Sequence, residues 1–205
     1  MPSTRRRFLG VSAIGIAGAV SLPSLRTQRQ ADSQSSYDWP MPRYDPPGTG
    51  YNPDASGPKD DVAVAWTHET PDWFRGSFQP IRRGETLYIG GNGLLALDSN
   101  TGQRQFSVRG PYHSSPTIAP TSIYRTETLG MTGPNGIYGL NASGGRALPF
   151  TEQRLGGERW TGPRAPAPEL FAPTESATPI TAAGMLYTAL PGTNSVVALD
   201  PNNGA

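Results

Sequence analysis

Short apolar runs separated by Gly, Pro, Asn and Asp punctuate residues 80–205, and no long stretch there keeps an apolar period near 3.6. The clearest run is TLYIGGNGLLALD. Leu87 and Ile89 alternate with Tyr88, Gly90 to Gly93 supply the freedom a tight reversal needs, and Leu94 to Leu97 run back. This pattern predicts a strand, a hairpin and a second strand. Asp98 and Gly102 then bracket a turn of the kind a capping side chain and a left-handed glycine make, and that turn leads into a third strand.

The same order recurs twice. Pro80, Tyr88, Leu97 and Gly102 are matched by Pro116, Tyr124, Leu140 and Gly145, then by Pro179, Tyr187, Leu199 and Gly204. Repetition at this scale marks an array in which each unit buries the apolar face of its neighbour, and the units are predicted near 78–106, 115–150 and 177–205. Phe106 and Phe150 follow the first two turn glycines, and Trp66 holds the same place ahead of the first full unit. All three are expected to anchor one unit to the next.

An apolar strand ending in Tyr, a Gly-rich hairpin, Ala-Leu-Asp-x-x-x-Gly and a terminal aromatic together resemble the repeat of PQQ-like β-propellers. That family includes quinoprotein dehydrogenases and the β-barrel assembly lipoprotein. Leu95-Ala96-Leu97-Asp98 to Gly102 and Val197-Ala198-Leu199-Asp200 to Gly204 carry the likeness best, while Tyr138-Gly139-Leu140-Asn141 is a looser copy. Residues 39–66 also resemble the lead-in of exported members. The resemblance implies an all-β chain forming a partial β-propeller of about three four-stranded antiparallel blades. Closed propellers hold four to eight blades, so three units imply an incomplete array whose open edges invite association. The isolated mature segment is accordingly expected to associate or to be only marginally folded.

Residues 1–26 resemble a twin-arginine export signal, with Arg5 and Arg6 as the pair, Phe8 and Leu9 next, and an apolar Gly/Ala-rich helical run from Val11 to Val20. That run is short of the roughly 20 apolar residues a permanent span needs, which favours a signal peptide. The chain is therefore expected to meet the twin-arginine machinery and to be exported to the cell surface, periplasm or medium, with peripheral envelope association. A polar, Pro-rich extended lead-in is predicted over 27–61, propeller blades over 62–205, and a Pro-rich insertion over 151–176.

Charge and composition narrow the chemistry. Removing the four arginines of residues 1–26 leaves 13 basic against 16 acidic residues, so no basic stripe points to nucleic acid. Without cysteine there is no disulfide, thiol ligand or lipid-modified cysteine. His68 and His113 are the only histidines and lie in different units, far from metal-ligand spacing. Asp98 to Gly102 and Asp200 to Gly204 open like calcium loops, but the glycine stands fifth rather than sixth and Arg109 replaces the bidentate Glu. Gly90 to Gly93 lies between strands rather than before a helix, which excludes a phosphate loop. Asp60 and Asp61 alternate faces and make a poor acid/base couple.

No catalytic residues and no cofactor are predicted. The long connection after the second unit carries Arg159 and Trp160, which with Trp73, Phe74 and Arg75 on the first connection are candidates for a recognition patch; Trp160 tucked against the neighbouring unit is the plainer alternative. A non-catalytic exported scaffold for protein contact or envelope assembly follows, with a protein partner or a second copy as occupant. The competing reading is a fragment of a PQQ-dependent dehydrogenase, with PQQ and calcium on the ring axis. That family's pocket uses adjacent cysteines, and none exists here.

Overall fold

Three strands begin directly after a proline, where a missing N–H and a fixed φ do least harm to a ladder. They are β1 (Ile81–Arg83), β5 (Thr117–Ala119) and β11 (Ile180–Ala182), following Pro80, Pro116 and Pro179. The computed structural model describes residues 38–59, 61–70, 78–151, 153–164 and 177–205, all within a unit that runs from Ser35 to Ala205. The predicted signal, Trp73, Phe74 and Arg75 lie outside the described residues. Among the described residues the chain is all-β, with no helix.

The first sheet is a four-stranded meander of β1, β2 (Thr86–Gly91), β3 (Gly93–Asp98) and β4 (Arg104–Val108), antiparallel throughout. The predicted hairpin is present, with Gly91 opposite Gly93 around Asn92. The second sheet orders β5, β6 (Thr128–Gly133), β7 (Gly136–Asn141) and β10 (Glu158–Arg164). A two-stranded hairpin, β8 (Arg146–Ala147) and β9 (Arg154–Leu155), is inserted before β10. The third sheet contains β11, β12 (Met185–Ala189) and β13 (Val196–Leu199).

Strands β5, β6 and β7 of the second sheet are buried on both faces, and the alternation of their side chains explains how. Leu129, Met131, Tyr138 and Leu140 join Ile81, Tyr88, Leu94, Ala96 and Phe106 in one cluster, whereas Ile137 joins Leu186 and Leu199 in another. Odd positions of β6 therefore face the first sheet and even positions the third, as a pleat of period two requires. The even positions are small. A Cβ at Gly130 would stand 2.8 Å from Leu186 Cδ2, and the Thr132 hydroxyl donates to the Ala177 carbonyl at 2.6 Å. Each fully buried Leu or Ile in these layers contributes roughly 1.5–3 kcal/mol.

One contact repeats at every junction. Gly102, Gly144 and Gly204 have φ of 70°, 70° and 74°, and each lies flat under an aromatic ring. A Cβ added at these positions would stand 2.4 Å from Trp66 Cε3, Phe106 Cδ2 and Trp160 Cε3 respectively. The indoles also donate: Trp66 Nε1 to the Ser99 carbonyl at 3.1 Å, and Trp160 Nε1 to the Pro201 carbonyl at 2.9 Å. Phe106 has no N–H, and there the Tyr88 hydroxyl supplies the hydrogen bond, to the Ala142 carbonyl at 2.8 Å. Ser99, Ala142 and Pro201 each follow the turn's Asp or Asn, so the same carbonyl is satisfied three times. Tyr88→Phe should leave that buried carbonyl without its donor and cost about 1–3 kcal/mol in urea unfolding, while Tyr187→Phe should be near neutral.

Three expectations for the second unit are corrected. Phe150 is fully exposed, and Trp160 on β10 takes the anchoring role because the β8–β9 hairpin displaces the fourth strand into the stretch predicted as an insertion between units. The turn after β7 closes at Gly144 rather than at the expected Gly145, being one residue shorter: Gly144 N–H donates to the Asn141 carbonyl, whereas Gly102 and Gly204 reach back four residues to Asp98 and Asp200, and it is Gly144 that meets Phe106. Tyr124 lies in an eight-residue loop between β5 and β6, and Gly130 pairs with Thr117 as Tyr88 pairs with Ile81. The shared spacing from Pro116 to Tyr124 is a coincidence of loop length.

The lead-in is not simply extended. Trp39 exchanges backbone hydrogen bonds with Arg82 on β1, and the Pro40 carbonyl accepts from Ile118 N–H on β5, so one short segment ties the first strands of two sheets. Met41 is buried behind it, and residues 42–47 turn, with φ of 61° at Arg43 and 76° at Tyr44.

Candidate functional site

The eight-residue loop 120–127 is the largest departure from the two-residue connections Gly84-Glu85 and Ala183-Gly184, and it separates two open grooves. The first, of about 670 Å³, is lined by Arg83, Tyr88, Gln105, Arg125, Glu127 and Ser143 among others. A second, of about 450 Å³, is lined by Tyr124, Arg125, Thr126, Asn141, Glu158 and Arg159. Arg125 and Thr126 border both.

Each groove wall is held by a different arginine. In the first, the Arg83 guanidinium pairs with Asp38 and with Glu127, and Asp38 also accepts from Gly84 N–H at 2.8 Å. The hydrogen bond to Glu127 raises Arg83 further above its already high pKa. These groups are too exposed for the pairs to add more than about 1 kcal/mol of stability, so their role is to fix geometry. In the second groove, Arg159 Nη1 donates to Thr128 Oγ1 at 2.7 Å, and its Nη2 to the Thr126 carbonyl at 2.9 Å, with the guanidinium 4.1 Å from the centre of the Tyr124 ring. Burial lowers Arg159 from its ordinary pKa, but a guanidinium stays charged.

Arg159 thus staples the loop to the second sheet with donors already engaged, whereas Arg125 is exposed on the ridge between the grooves and forms no ion pair among the described residues. At its other end the loop reaches the third sheet's turn, where Asn202 Oδ1 accepts from Ser122 N–H at 2.9 Å.

Of the candidate patch residues, only Arg159 borders a described groove. Trp160 alternates to the opposite face of β10 and is 8% exposed, docked on Gly204. Trp73, Phe74 and Arg75, like Arg5, Arg6, Phe8 and Leu9, lie outside the described residues. Sequence reading passed over Arg83, Arg125, Glu127 and Glu158. For Arg125 and Glu127 the available signal was the long stretch Pro120 to Glu127, hidden by matching Tyr124 to Tyr88; nothing local marked Arg83 or Glu158.

Behind the second groove, Glu158 accepts from the Tyr112 hydroxyl at 2.7 Å and from Thr161 Oγ1 at 2.7 Å. The Tyr112 and Tyr138 rings meet edge to face at 5.1 Å. Burial first, then the Glu158 carboxylate, push the Tyr112 phenol well above its usual 10, and burial also raises Tyr138 and Tyr88. A phenol that holds its proton more tightly when folded contributes stability that is intact below pH 10 and is lost as pH rises beyond it. Chemical denaturation followed from pH 8 to 12 should show stability falling above about pH 10. Tyr112→Phe should flatten that fall.

No protein-family model matches the chain, and no curated protein sequence matches it. Among the described residues no group of three or more His, Cys, Asp or Glu is placed to hold a metal ion.

Proposed function

We propose that this chain is an exported, non-catalytic scaffold of the PQQ-like β-propeller type, its sheets being successive blades, with the paired grooves beside Arg125 as the surface that takes a protein partner. The single observation that carries the reading is the aromatic-on-glycine contact repeated at Gly102, Gly144 and Gly204, in register with the Ala-Leu-Asp-x-x-x-Gly motif at two of the three. A unit that locks its successor in the same way each time is what a circular array needs. The grooves supply shape and fixed charge, and the exposed Arg125 between them suits an acidic or polar peptide segment.

Replacing Arg125 by a photo-crosslinking amino acid in the native envelope tests the scaffold reading. A discrete protein adduct, weakened at least about tenfold in Tyr124→Ala, is expected; irradiation that yields no adduct at Arg125 or at Gln105 would refute it. Export is tested separately: Arg5→Lys with Arg6→Lys should retain the protein in the cytoplasm. Should the purified chain bind PQQ with calcium and reduce a dye acceptor, the dehydrogenase reading would replace this one.

A further inference from the structure

Three turns of the chain are capped in the same way, and one of them lacks a charge. Asp98 Oδ1 accepts from Asn100 N–H at 3.0 Å, Asp200 Oδ1 from Asn202 N–H at 2.8 Å, and Asn141 Oδ1 from Ser143 N–H at 3.0 Å. Aspartate and asparagine serve such a turn equally, because the bond needs only an acceptor oxygen. The surroundings differ. Among the described residues Asn141 is the one of the three that touches an arginine, its Oδ1 accepting from Arg159 Nη2 at 3.2 Å.

An aspartate at this place would pair with Arg159; the asparagine leaves the guanidinium with neutral acceptors. They are Thr128 Oγ1, the Thr126 carbonyl and hydroxyl, and Asn141, all reached from the Nη groups, so Nε–H has no acceptor among the described residues. Burial works against the charge, lowering Arg159 from its ordinary pKa, and no described carboxylate offsets it.

The two grooves therefore differ in sign. In the first, Arg83 is already matched by Asp38 and Glu127. The second is lined by Arg159, the exposed Arg125 and the Glu158 carboxylate, which accepts from the Tyr112 and Thr161 hydroxyls and pairs with neither arginine. Tyr124 covers one face of the Arg159 guanidinium, which leaves approach in the plane of the group, the direction from which a carboxylate meets arginine N–H donors. Glu158 also limits the charge of the ligand, since a dianion meets about twice the repulsion that a monoanion does.

Resting on the scaffold reading above, we propose that the second groove is a carboxylate site, filled by an Asp or Glu side chain of the partner protein between Arg159 and Arg125. The partner supplies the charge that Asn141 withholds. The same arrangement orders the partner's charges: its acid sits on the β10 side of Arg125, and the segment crossing into the first groove, where two carboxylates face Arg83, is neutral or basic.

The test uses the full-length chain with isotope-labelled arginine, whose Nε–Hε resonances are followed at constant ionic strength. Three probes are added in turn: N-acetylglutamic acid α-amide, its glutamine counterpart and inorganic phosphate. The acid should shift Arg159 and Arg125 saturably while Arg104 and Arg146, exposed on β4 and β8, stay unmoved. The glutamine compound should shift none of them, and phosphate should bind at least about tenfold more weakly than the acid. Asn141→Asp provides the carboxylate from within and keeps the cap, so it should weaken binding of the acid at least about tenfold. Arg125→Gln, on the exposed ridge, should weaken it about threefold.

No saturable shift at Arg159, an equal response to the glutamine compound, phosphate binding as tight as the acid, or undiminished binding in Asn141→Asp would overturn the proposal. The crosslinking experiment above, with the photoreactive residue at Gln105 so that Arg125 stays intact, separates this failure from that of the scaffold. If a protein adduct forms and the acid does not bind, the scaffold stands and the carboxylate anchor is wrong. If the acid binds and no adduct forms, the groove takes small free carboxylates, and the partner reading falls together with the source assigned here.

Discussion

Trp160→Ala should destabilise the folded chain by about 3–5 kcal/mol, the usual range for removing a large aromatic from a packed interior. The indole fills the space between Gly139 of its own sheet and Gly204 of the next: a Cβ at Gly139 would stand 2.1 Å from Trp160 Cε2. Its loss opens a cavity at the junction of the second and third sheets and strands the Pro201 carbonyl, which would keep only the Thr128 hydroxyl at 3.0 Å. Trp160→Phe separates the two effects. It retains most of the ring contact and gives up the Nε1 hydrogen bond, so it should cost about 1–2 kcal/mol. Urea unfolding followed by far-ultraviolet circular dichroism measures both. If Trp160→Ala left stability within 0.5 kcal/mol of the parent, the junction would not be held as described.

Gly133→Ala should be at least as damaging, and for the opposite reason. An added Cβ would lie 1.7 Å from the Pro111 carbonyl oxygen, an approach that only movement of the backbone can relieve. That backbone is not free to move. The next residues pair with β6, His113 N–H donating to the Thr132 carbonyl at 2.8 Å, and Tyr112 is buried against Tyr138. Overpacking at such a site costs about 3 kcal/mol or more, and β6, buried on both faces, passes the distortion to its neighbours. Gly84→Ala provides the contrast, because a Cβ there meets nothing within 4 Å and only the φ of 56° opposes it. It should cost no more than about 1–2 kcal/mol. Thermal melts of the two variants side by side test the ranking, and a Gly133→Ala protein as stable as Gly84→Ala would contradict it.

The fate of the individual sequence readings shows what kind of information each carried. Alternation in Leu87 to Ile89, the glycines around Asn92 and the return run Leu94 to Leu97 located β2 and β3, because a hairpin is specified by residues close in sequence. The turns at Asp98 and Asp200 were equally local: the Asp98 carboxylate accepts from Asn100 and Thr101 N–H within its own turn. Reading failed where one unit's geometry depends on what another leaves room for. Phe150 and Trp160 both had the composition of an anchor, and the choice between them was made by the β8–β9 hairpin, which Arg154 pins by donating from its Nη2 to the Gly145 carbonyl at 2.9 Å. The grooves were illegible for a similar reason. Arg83 and Arg159 are 76 residues apart in the chain, and only the tertiary structure brings them to either side of the loop that carries Arg125 and Glu127.

By itself, then, the sequence determined an all-β chain of repeated strand–hairpin–strand–turn units, since period-two alternation and turn chemistry act over a few residues. Which glycine accepts which ring, which aromatic turns inward, and which arginine is left exposed were decided by the tertiary structure, because each depends on the close approach of two sheets whose facing residues must be small on one side where they are large on the other.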